Sequence, residues 1–103
     1  MFARVSRYRA DDTDKLLTGL RSVTEPLRQI DGFAEAVFLV DRRSGTAMSI
    51  TMWESEAALD ASTAMADELR RRGTETGRGS VESVESFEVG MLVRGALSGA
   101  GQG

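Results

Sequence analysis

TAMSITMWESEAAL, at residues 46–59, passes from the alternating pattern of a β-strand to the spacing of a helix. The side chains of residues 46–53 alternate between two faces, as in a strand of a sheet. Ser55 then offers the oxygen that caps a helix N-terminus, and Glu56 places a negative charge in the first turn. We expect the three arginines at residues 70–72 to end this helix, where cations complement the helix dipole. The predicted buried stripe of the helix comprises Ala58, Ala61, Met65 and Leu69.

The N-terminal segment predicts another strand followed by a helix. Residues 2–9 alternate, with Ala3 and Val5 on one face. The other face carries Phe2, Arg4, Ser6 and Tyr8. The acidic residues at 11–14 provide N-cap chemistry for the helix, which Pro26 should kink or restart. The apolar stripe of this helix comprises Leu16, Leu20, Val23, Leu27 and Ile30.

The remaining segments complete the predicted chain. Residues 33–40 are apolar on both faces and predict a strand, which a turn at residues 41–45 connects to the next strand. Residues 74–80 contain two glycines and predict a mobile loop. Residues 81–93 predict the last strand, and the Gly-rich residues 94–103 predict a flexible tail.

The predicted order β-α-β-β-α-β is typical of the ferredoxin-like α+β fold, in which two helices cover one face of a four-stranded antiparallel sheet. We expect one such domain over residues 1–93. The helices leave the other face of the sheet bare, and we expect that face to carry Phe2, Tyr8 and Trp53. An exposed apolar face of this kind predicts a homodimer in which two copies of the chain pack sheet to sheet.

The composition removes most catalytic side chains from consideration. The chain has 103 residues and contains neither histidine nor cysteine. It therefore has no imidazole base, thiolate nucleophile or zinc–thiolate site, and we expect no metal and no cofactor. The net charge of −3 argues against a nucleic-acid partner. Because the sequence has no long apolar segment and no signal-peptide pattern, we expect a cytoplasmic protein without a membrane partner.

Two segments resemble a known family. IDGF at residues 30–33 follows the first predicted helix, and TMWESEAAL at residues 51–59 forms the junction between strand and helix. Together they are similar to the dimeric α+β-barrel superfamily, and more narrowly to the antibiotic-biosynthesis monooxygenase-like domains. In that family a GF segment opens the second strand, and a WES-x-x-A-L element joins the third strand to the second helix. The resemblance covers residues 2–93, and the superfamily includes cofactor-free quinol oxygenases, haem degraders and lactone isomerases.

The resemblance does not extend to the haem-degrading branch. That branch uses an asparagine on the first strand, a second tryptophan and a histidine that binds iron. The corresponding positions in this sequence fall on Ser6, on Ser62 and on or near Arg71. Since arginine does not ligate iron at neutral pH, we do not expect haem degradation.

The quinol-oxygenase branch implies that a phenolic substrate is deprotonated and then reacts directly with O2. Such a site needs an apolar slot, a base or hydrogen-bond partner, and a cation that stabilises the phenolate. The candidate catalytic residues are Arg4 as the cation, Tyr8 as an orienting group and Glu35 as a base whose pKa apolar neighbours would raise. The candidate ligand-binding residues are Ser6, Ser49, Thr51 and Trp53. We expect all of them on the strand face away from the helices.

Each candidate also has a purely structural explanation. Arg4 and Glu35 would pair across strands or at the dimer interface, and Trp53 would bury its ring at the end of its strand. Two functions therefore stay open. One is a cofactor-independent monooxygenase-like protein that acts on or binds a small aromatic or polyketide-type molecule. The other is a non-catalytic dimeric protein, either ligand-binding or stress-associated.

Overall fold

The computed structural model describes residues 1–96, which fold in the order β-α-α-β-β-α-α-β. The strands are β1 (Phe2–Ala10), β2 (Phe33–Asp41), β3 (Thr46–Trp53) and β4 (Gly79–Glu88). The helices are α1 (Thr13–Arg21), α2 (Thr24–Arg28), α3 (Glu56–Ala61) and α4 (Thr63–Gly77). The strands form one antiparallel sheet in the order β2-β3-β1-β4, which confirms the predicted ferredoxin-like α+β fold.

Each predicted helix is divided into two shorter helices. Asp12 caps α1, because its Oδ1 accepts hydrogen bonds from the backbone N–H groups of Asp14 at 3.0 Å and Lys15 at 3.2 Å. The break between α1 and α2 precedes Pro26, which lies in the first turn of α2. In that turn a missing N–H group costs no helical hydrogen bond, so the proline is tolerated there.

The junction between β3 and α3 is held to the turn that precedes β2. Ser55 caps α3 as predicted, since its Oγ accepts a hydrogen bond from the Ala58 N–H at 3.1 Å. Gly32 has a φ of +81°, and a Cβ atom there would lie 2.4 Å from the Cβ of Ala58. The Glu54 N–H donates to the Gly32 carbonyl at 2.9 Å. The two sequence segments IDGF and TMWESEAAL therefore contact each other.

The buried side of α3 and α4 differs from the predicted stripe. Ala61 and Met65 are exposed. The buried residues of this segment are Leu59, Ser62, Ala66, Leu69, Gly73, Thr74 and Gly77. The prediction was wrong because serine and glycine occupy buried positions, and a hydrophobicity pattern does not count them.

The predicted loop at residues 74–80 is also wrong, because residues 74–77 form the last turn of α4. Gly73 and Gly77 let the backbone of α4 approach α1 directly. A Cβ atom on Gly19 of α1 would lie 2.2 Å from the Gly73 carbonyl oxygen. This close contact between helices overrides the poor helix propensity of glycine. Arg78, with a φ of +57°, ends the helix.

The helices cover the opposite face of the sheet from the one expected. Tyr8 and Trp53 are buried beneath the helices, and Phe2 packs against the same core. The bare face carries the residues that alternate with them, among which are Val5, Val37, Leu39, Met48, Ile50 and Met52. Alternation establishes which residues share a face, but it does not establish which face the helices cover.

The last strand ends at Glu88, earlier than the predicted residue 93. Val89 still donates its N–H to the Met1 carbonyl at 2.9 Å, but the paired residues of β1 and β4 end at Phe2 and Glu88. Of the tail predicted at residues 94–103, residues 97–103 lie outside the described residues. Within the described part, no helix is long and apolar enough to cross a bilayer.

Candidate functional site

A cavity of about 40 Å³ lies between the sheet and the helices. Its polar strand residues are Arg4, Ser6 and Tyr8 from β1 with Ser49 and Thr51 from β3. Apolar side chains of α1, α2, β2, α4 and the turn between α1 and α2 close it: Leu20, Val23, Leu27, Phe38, Ala66 and Leu69. The structure thus brings together five of the seven predicted site residues, but under the helices and not on the bare face where we expected them.

Arg4 is only 4% exposed, and neutral groups accept its hydrogen bonds. Its Nη2 donates to the Leu59 carbonyl at 2.9 Å and its Nη1 to the Ser62 Oγ at 3.2 Å. These acceptors are available because α3 ends and α4 begins beside Arg4, which leaves carbonyl groups without helical partners. The guanidinium lies 5.6 Å from the centre of the Trp53 ring, at a cation–π distance. Burial, together with the positive charge of Arg70, lowers the pKa of Arg4.

Arg70 of α4 is a second guanidinium at the cavity. Its Nε donates to the Ser6 Oγ at 3.1 Å, and its Nη1 lies 2.6 Å from the Asp67 Oδ1. The side chain of Arg70 is 9% exposed, whereas that of its partner Asp67 is 61% exposed. The cavity therefore has two enclosed cations beside it and one carboxylate that remains largely in water.

Sequence reasoning missed Arg70 because it treated residues 70–72 as one solvated group at a helix end. The helix continues to Gly77, and Arg71 lies in solvent between Glu68 and Glu75, at 2.6 and 2.9 Å. The hydrogen bonds that Arg71 donates to Glu68 raise the pKa of Arg71 above its ordinary value. A signal for Arg70 was present, since it follows the buried Ala66 by four residues and therefore shares its side of the helix.

Tyr8 and Trp53 each have a hydrogen-bond partner inside the core. The Tyr8 hydroxyl and the Ser49 Oγ are hydrogen-bonded at 2.8 Å. The Trp53 Nε1 donates to the Thr51 Oγ1 at 3.0 Å, and its ring packs edge-to-face on Phe33 with centroids 5.5 Å apart. Trp53 does not line the cavity, but it contacts residues that do, among them Arg4 and Thr51. The structure therefore places Trp53 behind the site and not in it.

Glu35 lies on the bare face, with the exposed Val37 and Leu39 of the same strand. Its Oε2 accepts a hydrogen bond from the Arg94 Nη2 at 3.2 Å. The expectation that Glu35 shares a face with Arg4 is wrong, because the register of β2 turns its side chain away from the helices. Among the residues that the structure describes, no carboxylate lines the cavity and none forms an ion pair with Arg4.

A larger groove of about 230 Å³ adjoins the cavity on the side of α2 and β2. Its lining comprises Thr24, Leu27, Arg28, Phe33, Ala36 and Phe38. Leu27 and Phe38 line both spaces, so these two side chains form the wall between them. A small polar compartment with two cations beside it thus stands next to a larger, mainly apolar one.

The fold and this interior cavity define a ferredoxin-like α+β protein with a polar pocket between sheet and helices. No family model matches the chain, and no curated protein matches it. Solved structures do. SnoaB, a cofactor-independent oxygenase from Streptomyces nogalater, is 15% identical, with 89% of this chain and 95% of that chain covered and a TM-score of 0.66. An antibiotic biosynthesis monooxygenase is 21% identical, with 86% of this chain and 98% of that chain covered and a TM-score of 0.59.

A protein from Deinococcus radiodurans, proposed to be an antibiotic biosynthesis monooxygenase, is 15% identical over 91% of this chain and 97% of its own, with a TM-score of 0.61. At these identities the likeness concerns the fold. The chain has the fold of the antibiotic-biosynthesis monooxygenase-like proteins, and the resemblance in its IDGF and TMWESEAAL segments is confirmed at that level.

Proposed function

We propose that this protein binds a small phenolic or polyketide-type aromatic molecule between its sheet and helices and promotes the reaction of that molecule with O2 without a cofactor. The observation that carries the proposal is the convergence of Arg4, Tyr8 and Ser49 on one cavity between the sheet and the helices. The similarity in fold to a cofactor-independent oxygenase supports the general kind of chemistry.

The proposed catalysis depends on electrostatic stabilisation of an anion. A guanidinium held in an enclosed site stabilises a phenolate or enolate far better than the same group does in water. Arg4 has this position, while the Tyr8–Ser49 pair offers a hydrogen bond that orients the oxygen. Since no carboxylate lines the cavity among the described residues, the proton passes to water. The overall reaction converts a CH2 group in the ring of the substrate, together with O2, to a ring carbonyl and water. O2 itself is therefore the oxidant.

One observation favours the second candidate, a non-catalytic dimeric protein. The cavity of about 40 Å³ has room for a few water molecules but not for an aromatic ring. An aromatic ligand therefore enters only if the wall of the cavity moves. If no such movement occurs, Arg4 and Tyr8 are core residues with structural partners.

Oxygen uptake with 1,8-dihydroxyanthrone as the probe decides between the two candidates. Arg4→Gln should lower kcat/KM about a hundred- to a thousandfold, since it removes the charge that faces the anion. Tyr8→Phe should lower it about fivefold through the loss of one hydrogen bond. Arg21→Gln, an exposed change on α1, is the control and should leave the rate unchanged.

Two results would count against the oxygenase. Uptake by the unaltered chain at the rate of the uncatalysed reaction, with this and with other phenolic probes, would favour the non-catalytic protein. Catalysed uptake that Arg4→Gln does not slow would place the reaction elsewhere in the molecule.

The homodimer is part of the proposal and rests on the bare face of the sheet. Its exposed apolar residues include Val37 at 44%, Leu39 at 48% and Phe87 at 50% exposure. The Arg7–Glu85 pair gives this face charges of both signs, so a copy related by a two-fold axis would meet complementary charges. Burial of this surface against a second copy would remove it from water.

Leu39→Lys should convert the dimer to a monomer. A lysine buried without a partner costs about 3–5 kcal/mol, which raises the dimer Kd about a hundredfold or more. Met65→Lys is the matched control, because Met65 is similarly exposed, at 51%, but lies on the helical side. Sedimentation equilibrium would report twice the mass of one chain for the unaltered protein and for the control. A monomer at every concentration in the unaltered protein would contradict the homodimer.

A further inference from the structure

Two arginines stand at the cavity, and the positive charge of one of them has no counter-ion. Arg4 donates to a carbonyl and to hydroxyl groups, all of them neutral. Arg70 has Asp67 as its partner, but that carboxylate faces water and not the cavity. Buried charges in proteins are ordinarily paired, since removal of an ion from water is costly. The site thus has an excess of enclosed positive charge.

The space around these charges has a shape that suits only part of an aromatic ligand. The cavity of about 40 Å³ accepts a group of the size of a carboxylate but not a ring. The adjoining groove of about 230 Å³ is wide enough for a ring and is lined mainly by apolar side chains, Phe33 and Phe38 among them. The wall between them is formed by Leu27 and Phe38.

The helix that carries Leu27 is the one best suited to move. α2 has only five residues, and no side chain caps its N-terminus. Short helices without caps depend on packing for their stability. A shift of α2 would carry Leu27 away from Phe38 and join the two spaces.

Building on the proposed function, we propose that the ligand is an aromatic acid with a hydroxyl group next to its carboxylate. The carboxylate and the hydroxyl oxygen of this ligand bind between Arg4 and Arg70. Its ring lies in the groove beside Phe33 and Phe38. Arg70 is then the residue that selects anionic over neutral phenols. Planar guanidinium groups suit this role because they bind carboxylates with paired hydrogen bonds.

The test compares 1-hydroxy-2-naphthoate with 1-hydroxy-2-naphthamide by titration calorimetry. The two probes have the same ring and hydroxyl group and differ in charge. The naphthoate should bind about ten- to a hundredfold more tightly, as expected for hydrogen bonds between charged groups. Equal affinity for the two probes would overturn the proposal, as would equally tight binding of acetate, which has no ring.

Two variants with opposite expected effects on the affinity for the naphthoate test whether Arg70 provides the selectivity. Arg70→Gln should lower the affinity ratio of the two probes, with Arg4 left as the one guanidinium that favours the anion, while it leaves the affinity for the amide unchanged. Asp67→Asn should raise the affinity for the naphthoate about threefold, because it frees Arg70 from its partner carboxylate. Arg72→Gln, an exposed change on the same helix, is the control and should leave both affinities as they are.

An unchanged ratio in Arg70→Gln would overturn the role of Arg70, and circular dichroism would show that this variant is folded. The binding test requires no turnover. Selectivity for the naphthoate without oxygen uptake would therefore remove the oxygenase and leave the anion site. Oxygen uptake with neutral phenols, combined with equal affinities for the two probes, would remove the anion site and leave the oxygenase.

Discussion

Gly19→Ala should destabilise this protein by about 3 kcal/mol or more, a large share of the roughly 5–15 kcal/mol that keeps a domain folded. The added methyl carbon would lie 2.2 Å from the Gly73 carbonyl oxygen and 2.6 Å from the Gly77 nitrogen. Both atoms belong to the backbone of α4, so relief requires that the two helices move apart. Elsewhere in a helix a Gly→Ala substitution stabilises the protein by about 1 kcal/mol. At this position the expected change in stability therefore has the opposite sign.

Gly90→Ala is the matched control for this prediction. No atom lies within 4 Å of the position where its Cβ would be, and its φ is not positive. Urea unfolding followed by circular dichroism should give a free energy of unfolding within about 0.5 kcal/mol of the unaltered value for this control. A Gly19→Ala variant as stable as the control would show that α1 and α4 are not in backbone contact.

Trp53→Ala should cost about 3–5 kcal/mol, the range observed for the loss of a large buried aromatic side chain. Trp53 is fully buried. It packs in one cluster with Val23 and Leu27, from the segment of α1 and α2, and with Leu59 and Leu69, from the segment of α3 and α4. Its removal would leave a cavity at the centre of this cluster. It would also remove the ring beside which the Arg4 guanidinium lies.

Trp53→Phe separates the packing of the ring from its polar contact. This variant keeps an aromatic ring but loses the hydrogen bond from Nε1 to Thr51, so we expect a smaller loss of about 1–2 kcal/mol. Thermal or urea unfolding by circular dichroism is the measurement, because Trp53 is the chain's one tryptophan and both variants lose its fluorescence. Equal losses in the two variants would mean that the hydrogen bond, and not the ring volume, stabilises the core.

The two helix breaks explain how polar side chains came to lie inside this small core. At the break between α3 and α4 the Leu59 carbonyl accepts a hydrogen bond from Arg4. A continuous helix would have used that carbonyl internally and would have left the guanidinium with only the hydroxyl groups of Ser62 and Thr63 as partners. The breaks therefore make an enclosed cation possible, and the proposed chemistry depends on that cation.

Much of the candidate site was predictable from the alternation along β1 and β3. Arg4, Ser6 and Tyr8 alternate on one strand, and Ser49 and Thr51 alternate on another, so the pairing of the two strands brings them together. Glu35 could not be assigned in the same way. The register between β2 and β3 shifts between Phe33 and Glu35, and such an irregularity changes which side of the sheet a residue faces.

The sequence by itself determined the order of strands and helices, the capping residues Asp12 and Ser55, and the absence of imidazole and thiolate chemistry. These features depend on residues close together in the chain or on composition alone. Only the tertiary structure decided which face of the sheet the helices cover, where Arg70 lies, and how closely α1 approaches α4. Those outcomes depend on contacts between distant segments, such as Gly19 with Gly73, where the lack of a side chain and not its hydrophobicity permits the packing.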